Sequence, residues 1–490
     1  MKKTTSNIHQ RLKKTLAPYK NFVVVGGNWG DEGKGKIIDL VMAHYDATVR
    51  FSGGANAGHT VKTPDGKKLV SHLIPCGLAQ DKECIMGRGE LVDLRLFLEE
   101  LEQAKHVLGK KLPKIFTDQM SPVWTPWHSL LESWLESSKG SGKVGTTGKG
   151  IGPLEGLYKL RMSPVVGQIF LPRKELIAVL EPLYQALLPV FREMAGKNII
   201  ADMKIPAPAE VADLLQGYAK QVKGFVADTS FILHQMNGKK RLLFEGAQAL
   251  GLDCHFGTYP YVSSGNSAAF GAAVGTGLPM QNFGATMMVA KTLPTRVGRG
   301  PFPSEMWERE KAMGFAKDHG ELYKAGPERT KFLSEMLNKI NAGKASRAQW
   351  SQYFQVLGDE RGATTGRGRS VGFTDIPWLQ YACRINGPSF LALTRFDMLS
   401  GILEIPVVVG YKISNKLLAP GQMPAAWDMG KVEPVFEKWQ GWQEDIAGIQ
   451  KTADLPKAAQ RFLNNLEKRL NVPILLVGTG PGRDAVIVRG

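Results

Sequence analysis

The sequence has few cysteines, and their spacing follows no pattern known for bound metals or disulfides. Four occur in 490 residues, at positions 76, 84, 254 and 383. Isolated thiols argue against a disulfide-stapled secreted fold and against a cysteine-based zinc site. No stretch approaches the roughly 18 apolar residues of a membrane-spanning helix, so an integral membrane protein is not expected. These observations favour a cytoplasmic localisation.

Acidic residues are absent from the first 20 positions, MKKTTSNIHQRLKKTLAPYK. This stretch is basic, but it has no apolar core of the kind found in secretory signals. We predict that residues 1–21 form a basic N-terminal extension that is disordered or loosely packed. A transit peptide is the alternative.

Positive charge, in contrast, is abundant. The chain has 62 Lys and Arg against 45 Asp and Glu, a net charge of +17, which favours anionic ligands. The sequence shows no basic repeat, zinc finger or aromatic RNA-binding signature. We therefore expect nucleotides or phosphate-bearing substrates, and neither nucleic acid nor a membrane as a partner.

An apolar run, Phe22–Val25, is followed by a glycine-rich loop and by helical spacing at residues 36–44. A buried strand, a glycine loop and a helix in that order begin a doubly wound sheet. We predict one large α/β domain over residues 22–490, around a mainly parallel sheet, with helical insertions at 171–240 and 305–360. Its further strands are predicted at 47–51, 242–244, 286–290, 390–393, 405–409 and 473–477.

The loop after the first strand reads GNWGDEGKGK, at residues 27–36. It resembles a phosphate-binding loop but fails the Walker A pattern, because a glycine follows Gly-Lys where Ser or Thr is required. Its glycines allow close backbone approach, and helix N-terminal amides attract anions. Asp31 and Glu32 would repel phosphate unless a metal ion or a proton transfer employs them. Asp31 is thus a candidate magnesium ligand or general base; the alternative is a glycine-rich turn with solvated charges.

Four further segments combine polar side chains with turns or strand ends in a way that suits anionic or nucleotide ligands. His59 lies in a Gly/Asn loop after a predicted strand, where it could donate a proton or a hydrogen bond to a phosphoryl oxygen. Residues 145–153 offer hydroxyls, amides and a lysine, and residues 361–369 offer three arginines suited to carboxylate or phosphate. Asp397 ends a predicted strand, where it could accept two hydrogen bonds from a guanine edge. Each could instead belong to a structural or solvated loop.

Taken together and in order, these segments resemble the adenylosuccinate synthetases, the GTP-dependent ligases that join aspartate to IMP. The stretches that carry the resemblance are NWGDEGKGKIIDL, GGANAGHT, HLIPCGL, GTTGKGIGP, FEGAQALGLD, FGTYPYVSSGN, TRVGRGPFPSE, GATTGRGRSVGFTD and LTRFDML. They run in the family's order from about residue 22 to the C-terminus, so the resemblance covers nearly the whole chain. It implies a single large α/β domain with a P-loop-like nucleotide site that works as a homodimer.

The resemblance also implies how the chain would catalyse this ligation. Asp31 would remove the N1 proton of IMP and, with the backbone of Gly58, ligate Mg²⁺. The activated O6 would attack the γ-phosphate of GTP, while His59 acts as an acid or hydrogen-bond donor toward that group and Gln248 stabilises the 6-oxyanion. The amine of aspartate would then displace phosphate from 6-phosphoryl-IMP.

The residues that would hold the three substrates follow from the same resemblance. For the nucleotide they are Gly30, Glu32, Gly33, Lys34, Gly35, Lys36, Thr60, Arg395, Asp397, Gly478 and Gly480. For IMP they are Asn56, Thr147, Gln248 and Ser263, with Arg161 reaching across the dimer interface. For L-aspartate they are Ala363, Thr364, Thr365, Gly366, Arg367 and Arg369.

The chain departs from the family pattern at several places. The departures are Ala55 for His, Lys149 for Arg, Ser263 for Thr, His255 for Asp, Arg395 for Lys, Gly482 for Asp, and Gly368 within a run of arginines. Two alternatives to the expected activity stay open. One is a related ligase that acts on another purine monophosphate, such as (d)GMP, or uses ATP as the phosphoryl donor. The other is a non-catalytic nucleotide-binding regulator on the same scaffold.

Overall fold

Helices and strands alternate along the chain. The computed structural model describes residues 2–62, 66–109, 111–140, 144–196, 205–361 and 368–489. The strands are β1 (Asn21–Gly26), β2 (Ala47–Arg50), β3 (His59–Lys62), β4 (Lys68–Ser71), β5 (Glu83–Met86), β6 (Ile115–Asp118), β7 (Val226–Ala227), β8 (Leu242–Glu245), β9 (Ala285–Lys291), β10 (Thr295–Arg296), β11 (Ser370–Val371), β12 (Thr374–Asp375), β13 (Phe390–Thr394), β14 (Glu404–Ile413), β15 (Lys416–Leu417), β16 (Glu433–Gln440), β17 (Ile474–Gly478) and β18 (Val486–Val488). The helices are α1 (Lys2–Leu16), α2 (Lys34–Met42), α3 (Leu94–Leu108), α4 (Pro126–Ser138), α5 (Ile151–Lys159), α6 (Arg173–Gly196), α7 (Pro208–Val222), α8 (Thr229–Met236), α9 (Gly271–Thr276), α10 (Arg309–Asp318), α11 (Pro327–Asn341), α12 (Arg347–Gly358), α13 (Ile376–Asn386) and α14 (Lys457–Leu470).

A central sheet of ten strands organises the molecule, in the order β18-β17-β13-β9-β1-β8-β2-β5-β6-β7. All neighbouring strands in it are parallel except β17 and β18, which are antiparallel. Parallel strands need crossover connections, and the helices in those connections cover both faces of the sheet. Strand β1 is accordingly buried at every position. The prediction of an α/β domain around a mainly parallel sheet is confirmed.

Each predicted strand is present, but one of them has unexpected partners. Six of the runs join the central sheet, whereas the run at 405–409 lies in β14. Strand β14 pairs with β12, β15 and β16 in a separate four-stranded sheet. A short apolar run predicts a buried strand, but it does not say which strand will pair with it.

The two segments predicted as insertions are largely helical. Residues 171–240 contain α6, α7 and α8 and also the short edge strand β7, and residues 305–360 contain α10, α11 and α12. In the second segment, α12 contacts β11 and the turn that follows β13. This segment therefore reaches the carboxyl edge of the sheet.

The prediction that the N-terminal extension is disordered or loosely packed is wrong for the helix α1. Its residues Ile8, Leu12 and Leu16 recur every four positions on one face, and all three are buried in the core that covers the sheet. Arg241, just before β8, donates to the carbonyls of Leu16 and Ala17 at 2.8 and 3.0 Å and so satisfies the end of the helix. The prediction failed because it considered the basic composition of the stretch and not the spacing of its apolar residues. These residues become buried only when the helix packs on the sheet.

The two faces of the sheet pack against different helices. One apolar cluster combines side chains of α1, α2, α3, α6 and α7, and another combines side chains of α12, α13, α14 and the second sheet. Among the helices described here, none is both long enough and apolar enough to cross a lipid bilayer.

Candidate active site

Most of the loops predicted to bind substrates follow strands of the central sheet. They come after β1, β2, β8, β13 and β17, and these strands are parallel. The carboxyl ends of parallel strands emerge at the same edge, which is where open α/β sheets bind ligands. The candidate active site lies along this edge.

The loop between β1 and α2 is wound around the side chain of Glu32. The Glu32 carboxylate accepts hydrogen bonds from the amides of Asn28 and Gly30 at 3.2 and 2.8 Å. It also pairs with Lys34 Nζ at 2.8 Å and is fully buried. Glu32 is therefore a neutralised part of the loop's structure rather than a solvated charge opposing phosphate. Asp31, in contrast, is exposed, and its backbone has a left-handed φ of 59°.

The glycines of this loop allow the backbone to approach an anion. Gly30 and Gly33 have φ values of 96° and 78°, which disfavour other residues. At Gly35, an added Cβ would lie 2.8 Å from the carbonyl oxygen of Thr60, so a side chain has no room there. Because α2 begins at Lys34, its first amides open onto the same edge of the sheet. This geometry suits the phosphates of a nucleotide.

Lys36 joins this loop to the C-terminal loop that begins at Gly478. Its Nζ donates to the carbonyls of Gly480 and Ala485 at 2.7 and 2.8 Å. Burial lowers the pKa of Lys36 to about 8, against the opposing charge of Asp397. Asp397 follows β13, and its Oδ1 is buried with no hydrogen-bond partner among the residues described. An orphaned carboxylate oxygen of this kind is a ready acceptor for the N–H groups of a guanine.

His59 lies in a buried cluster at the end of the loop that follows β2. Its Nδ1 is 3.4 Å from Cys76 Sγ and 3.6 Å from Glu245 Oε1. Glu245 also accepts a hydrogen bond from the amide of Cys76 at 3.1 Å and faces Arg50 Nη1 at 3.5 Å. Burial lowers the pKa of His59, and Arg50 acts in the same direction, while Glu245 opposes both. Since Nδ1 faces these neighbours, Nε2 is the nitrogen left for a ligand.

Three of the residues predicted to bind IMP are in contact with one another. Gln248 Nε2 donates to Asn56 Oδ1 at 3.3 Å, and Asn56 Nδ2 donates to the hydroxyl of Ser263 at 3.5 Å. Ser263 thus supplies the hydroxyl that the family's Thr would supply. These contacts join the loops that follow β2 and β8.

Thr147 and Arg161 are exposed, whereas the three residues above are half-buried. Thr147 lies in the loop before α5, whose first residue, Ile151, packs with Ala55. That loop therefore borders the one that contains Asn56. Arg161 follows α5 and has a left-handed φ of 64°.

Of the residues predicted to bind L-aspartate, Arg369 is described. The others, Ala363, Thr364, Thr365, Gly366 and Arg367, lie outside the described residues. Arg369 pairs through Nε with Asp31 Oδ2 at 2.7 Å and through Nη1 with Glu360 Oε2 at 3.2 Å. The predicted general base and a predicted aspartate-binding arginine thus meet at the edge of the sheet.

Gly368, which interrupts the family's run of arginines, is explained by helix α10. A Cβ at this position would lie 2.7 Å from the Cβ of Ala316, closer than real Cβ atoms approach. Gly368 also forms an antiparallel bridge with Arg361. The second helical insertion therefore packs against the base of the predicted aspartate loop and leaves room only for glycine.

The Mg²⁺ ion implied by the resemblance fits the donor atoms at this edge. Asp31 offers an exposed carboxylate, and Gly58 offers the backbone carbonyl of an exposed residue. Oxygen ligands of this kind, completed by phosphate oxygens, are those that Mg²⁺ prefers. The buried set of His59, Cys76 and Glu245 offers nitrogen and sulfur beside one carboxylate, a softer combination that does not suit Mg²⁺.

Four residues of this region were missed by the reasoning from sequence: Cys76, Glu245, Lys291 and Glu360. Glu245 and Lys291 end β8 and β9, so a charged residue at the end of a buried apolar run was the available signal. Glu360 has no such signal, since it follows helix α12. Cys76 was noted only for its lack of a metal-binding spacing, and its contact with His59 depends on the fold.

Comparison with known proteins identifies the family. A family model described as adenylosuccinate synthetase matches residues 23–487. The chain belongs to the adenylosuccinate synthetase family. The adenylosuccinate synthetase of Desulfosudis oleivorans is 35% identical over 475 residues, which cover 96% of this chain and 98% of that protein. That of Halothermothrix orenii is 36% identical over 483 residues, with 96% and 98% covered. As a member of this family, the chain is a nucleotide-using ligase of purine biosynthesis that forms a C–N bond.

Solved structures agree with this assignment. The structure of fully ligated adenylosuccinate synthetase from Plasmodium falciparum matches with a TM-score of 0.78 at 29% identity, covering 96% of this chain and all of that one (100%). The succinoaminodeoxyadenylate synthetase of cyanophage S-2L, bound to dGMP and dATP, matches with a TM-score of 0.53 at 16% identity. At that identity the likeness shows the fold alone.

Proposed function

We propose that this chain joins L-aspartate to IMP in a GTP-dependent reaction that passes through 6-phosphoryl-IMP. The observation that carries the proposal is the ion pair between Asp31 and Arg369, at 2.7 Å, in a chain of this family. It brings the proposed base of the first step next to a proposed ligand of the amino-acid substrate used in the second step. Both steps can then occur at one place.

In the first step the Asp31 carboxylate takes the proton from N1 of IMP. The electron pair shifts to O6, which attacks the γ-phosphorus of GTP, and GDP leaves. Gln248 donates a hydrogen bond toward O6, and Nε2 of His59 donates one toward the phosphoryl group. Asp31 and the backbone carbonyl of Gly58 would hold Mg²⁺, which would neutralise phosphate charge when bound.

In the second step the amine of L-aspartate attacks C6 of the purine, and the bond from C6 to the phosphorylated oxygen breaks. Inorganic phosphate leaves, and loss of the amine's proton completes adenylosuccinate. Arg369 holds a carboxylate of L-aspartate through paired hydrogen bonds. Ala363, Thr364, Thr365, Gly366 and Arg367, which lie outside the described residues, are proposed to complete this site.

Guanine is proposed as the base of the phosphoryl donor because of Asp397. Its buried Oδ1 has no hydrogen-bond partner among the residues that the structure describes and can accept from guanine N1–H or N2–H₂. Adenine offers no donor at those two positions. The other residues proposed for this part of the nucleotide site are Arg395, Gly478 and Gly480. Lys36 donates a hydrogen bond to the carbonyl of Gly480.

A homodimer is proposed on the basis of Arg161. This residue is exposed on its own chain, as expected of a side chain that acts in a neighbour's site. Mixing an inactive Asp31→Asn variant with an inactive Arg161→Ala variant should restore up to about a quarter of full activity, since half of the randomly formed dimers carry one intact site of two. If the mixture stays inactive after subunit exchange, Arg161 does not act across an interface.

The fate of the O6 atom of IMP tests whether the reaction passes through 6-phosphoryl-IMP. With IMP labelled with ¹⁸O at O6, the proposed route places the label in inorganic phosphate, because the C6–O6 bond breaks. Phosphate without the label would contradict a 6-phosphoryl intermediate. Asp31→Asn should lower kcat by about 100- to 10,000-fold while GTP binding persists, since general base catalysis contributes about that much.

A further inference from the structure

Glu360 is a buried carboxylate surrounded by three cations. It is fully buried at the end of α12. Its Oε1 is 2.7 Å from Lys291 Nζ and 4.0 Å from Arg395 Nη2, and its Oε2 is 3.2 Å from Arg369 Nη1. No step of the proposed reaction uses Glu360, although it contacts residues proposed for two different substrates.

The charges of this cluster keep Glu360 ionised. Burial alone raises the pKa of Glu360, but Lys291, Arg395 and Arg369 outweigh it, so its pKa lies below the ordinary value. Burial lowers the pKa of Lys291, and Glu360 opposes that shift. Glu360 is therefore a fixed anionic acceptor for Arg369.

The main chain of Arg369 is fixed as well. Its amide donates to the carbonyl of Glu360 at 2.9 Å, and its carbonyl accepts from Gln355 Nε2 at 2.9 Å. The bridge between Arg361 and Gly368 closes the base of the loop just before it. What remains to be set is the direction of the guanidinium group.

A guanidinium presents one edge through Nε and Nη2, and Nη1 lies on the other side. Nη1 of Arg369 donates to Glu360, and Nε of Arg369 lies 2.7 Å from the carboxylate of Asp31. Although Asp31 is this close, Nε makes no hydrogen bond among the described residues. The edge that can grip a carboxylate with two parallel hydrogen bonds is therefore left without a hydrogen-bonded acceptor, as a binding edge for a substrate carboxylate would be.

We propose that Glu360 is a positioning residue for recognition of L-aspartate: by holding Nη1 of Arg369, it aims the Nε–Nη2 edge at the substrate carboxylate. The inference rests on the proposed function, because that function gives Arg369 its ligand. Lys291 is a counter-ion that neutralises the buried Glu360, and it has no contact of its own with Arg369 among the described residues.

The test uses Glu360→Gln in the full-length chain. This variant keeps the shape but loses the charge that orients Arg369. We expect KM for L-aspartate to rise about tenfold or more, while kcat and the KM values for IMP and GTP stay within about twofold. Binding of L-aspartate, measured by calorimetry with IMP, GDP and Mg²⁺ present, should weaken by the same factor.

Two further variants separate positioning from stability. Lys291→Met keeps the contact between Glu360 and Arg369 and should leave KM for L-aspartate nearly unchanged, even if Tm falls. Lys291→Met combined with Glu360→Gln removes the unpaired buried lysine and should recover Tm but keep the KM defect. An unchanged KM and affinity for L-aspartate in Glu360→Gln, or a defect that follows Tm in all three variants, would overturn the inference.

The calorimetric measurement also distinguishes this inference from the proposed function. A wild-type chain that binds L-aspartate in a Glu360-dependent manner but forms no adenylosuccinate would contradict the proposed function and support the positioning role. If the wild-type chain forms adenylosuccinate but binds L-aspartate no more tightly than Glu360→Gln does, the proposed function is supported and the positioning role is contradicted.

Discussion

Arg369 Nε lies 2.7 Å from Asp31 Oδ2, although 338 positions, 369 minus 31, separate the two residues in the chain. One belongs to the loop after β1 and the other to the loop before β11. The proposed general base and the proposed aspartate ligand are thus partners in the structure. Under the proposed function, IMP and L-aspartate replace this ion pair with their own contacts to Asp31 and Arg369.

Replacing Arg369 with Leu should raise KM for L-aspartate by about 10- to 100-fold, the value of a hydrogen-bonded charge partner. KM for IMP and GTP should change little. Arg361→Leu is the matched control, because it removes the same charge from the base of the same loop. Its guanidinium pairs with Asp359 at 2.9 Å and lies over the Tyr323 ring, away from Asp31. Equal effects of the two variants would refute a specific role for Arg369.

Asp397→Asn should change which nucleoside triphosphate the chain prefers as phosphoryl donor. The amide keeps one acceptor for N1–H and places a donor where guanine has its amino group, so GTP should bind about 10- to 100-fold less well. Xanthosine triphosphate, which has an oxygen at that position, should gain in the same variant. Asp445→Asn, an exposed neighbour with the same charge change, serves as the control. Steady-state competition between the two triphosphates measures the preference, and an unaltered ratio would remove Asp397 from base recognition.

Nucleotide binding should weaken as the pH rises through about 8. Burial lowers the pKa of Lys36 to about 8, so its charged form is lost above that pH rather than near its ordinary value of 10.5. Loss of this charge should reduce GTP affinity by about tenfold. Lys36→Arg stays charged and should show a flatter profile over the same range. Identical pH profiles for the two proteins, measured by calorimetry, would contradict this assignment.

The N-terminal helix should contribute to stability. Leu12 is fully buried against the core, and its replacement by Ala should lower the free energy of unfolding by about 2–5 kcal/mol. Lys13→Ala changes the next, exposed residue and should stay within about 0.5 kcal/mol. Denaturant unfolding of both variants measures this. A Leu12→Ala protein as stable as Lys13→Ala would show that α1 is not part of the folded core in solution.

The sequence was informative wherever local pattern decides structure. Buried apolar runs predicted the strands. Because parallel strands end at one edge, the loops after them predicted that the candidate ligand-binding residues lie close together. Asn56, Gln248 and Ser263 come from two such loops and do meet. The failed Walker A match was also resolved by local contacts, since Glu32 folds back on Lys34 and leaves Asp31 exposed.

Contacts between distant segments could not be predicted in the same way. The pairing of Glu360 with Lys291 and the approach of Cys76 to His59 depend on how helices and loops pack. The stripe of α1 was visible as a spacing of four, but its burial needs a surface formed by residues far along the chain. A glycine is required at position 368 because Ala316, on helix α10 of the second insertion, leaves no room for a Cβ.

The central claim is that the chain makes adenylosuccinate from IMP, L-aspartate and GTP. Purified protein with Mg²⁺ and L-aspartate should be assayed with IMP or dGMP as acceptor and with GTP or ATP as donor, in all four pairs, with Asp31→Asn as the inactive control. We predict that the pair IMP and GTP gives adenylosuccinate, GDP and phosphate in equal amounts, faster than any other pair. No product from IMP with GTP, whether the chain uses dGMP or ATP instead or binds nucleotides without turnover, would contradict it.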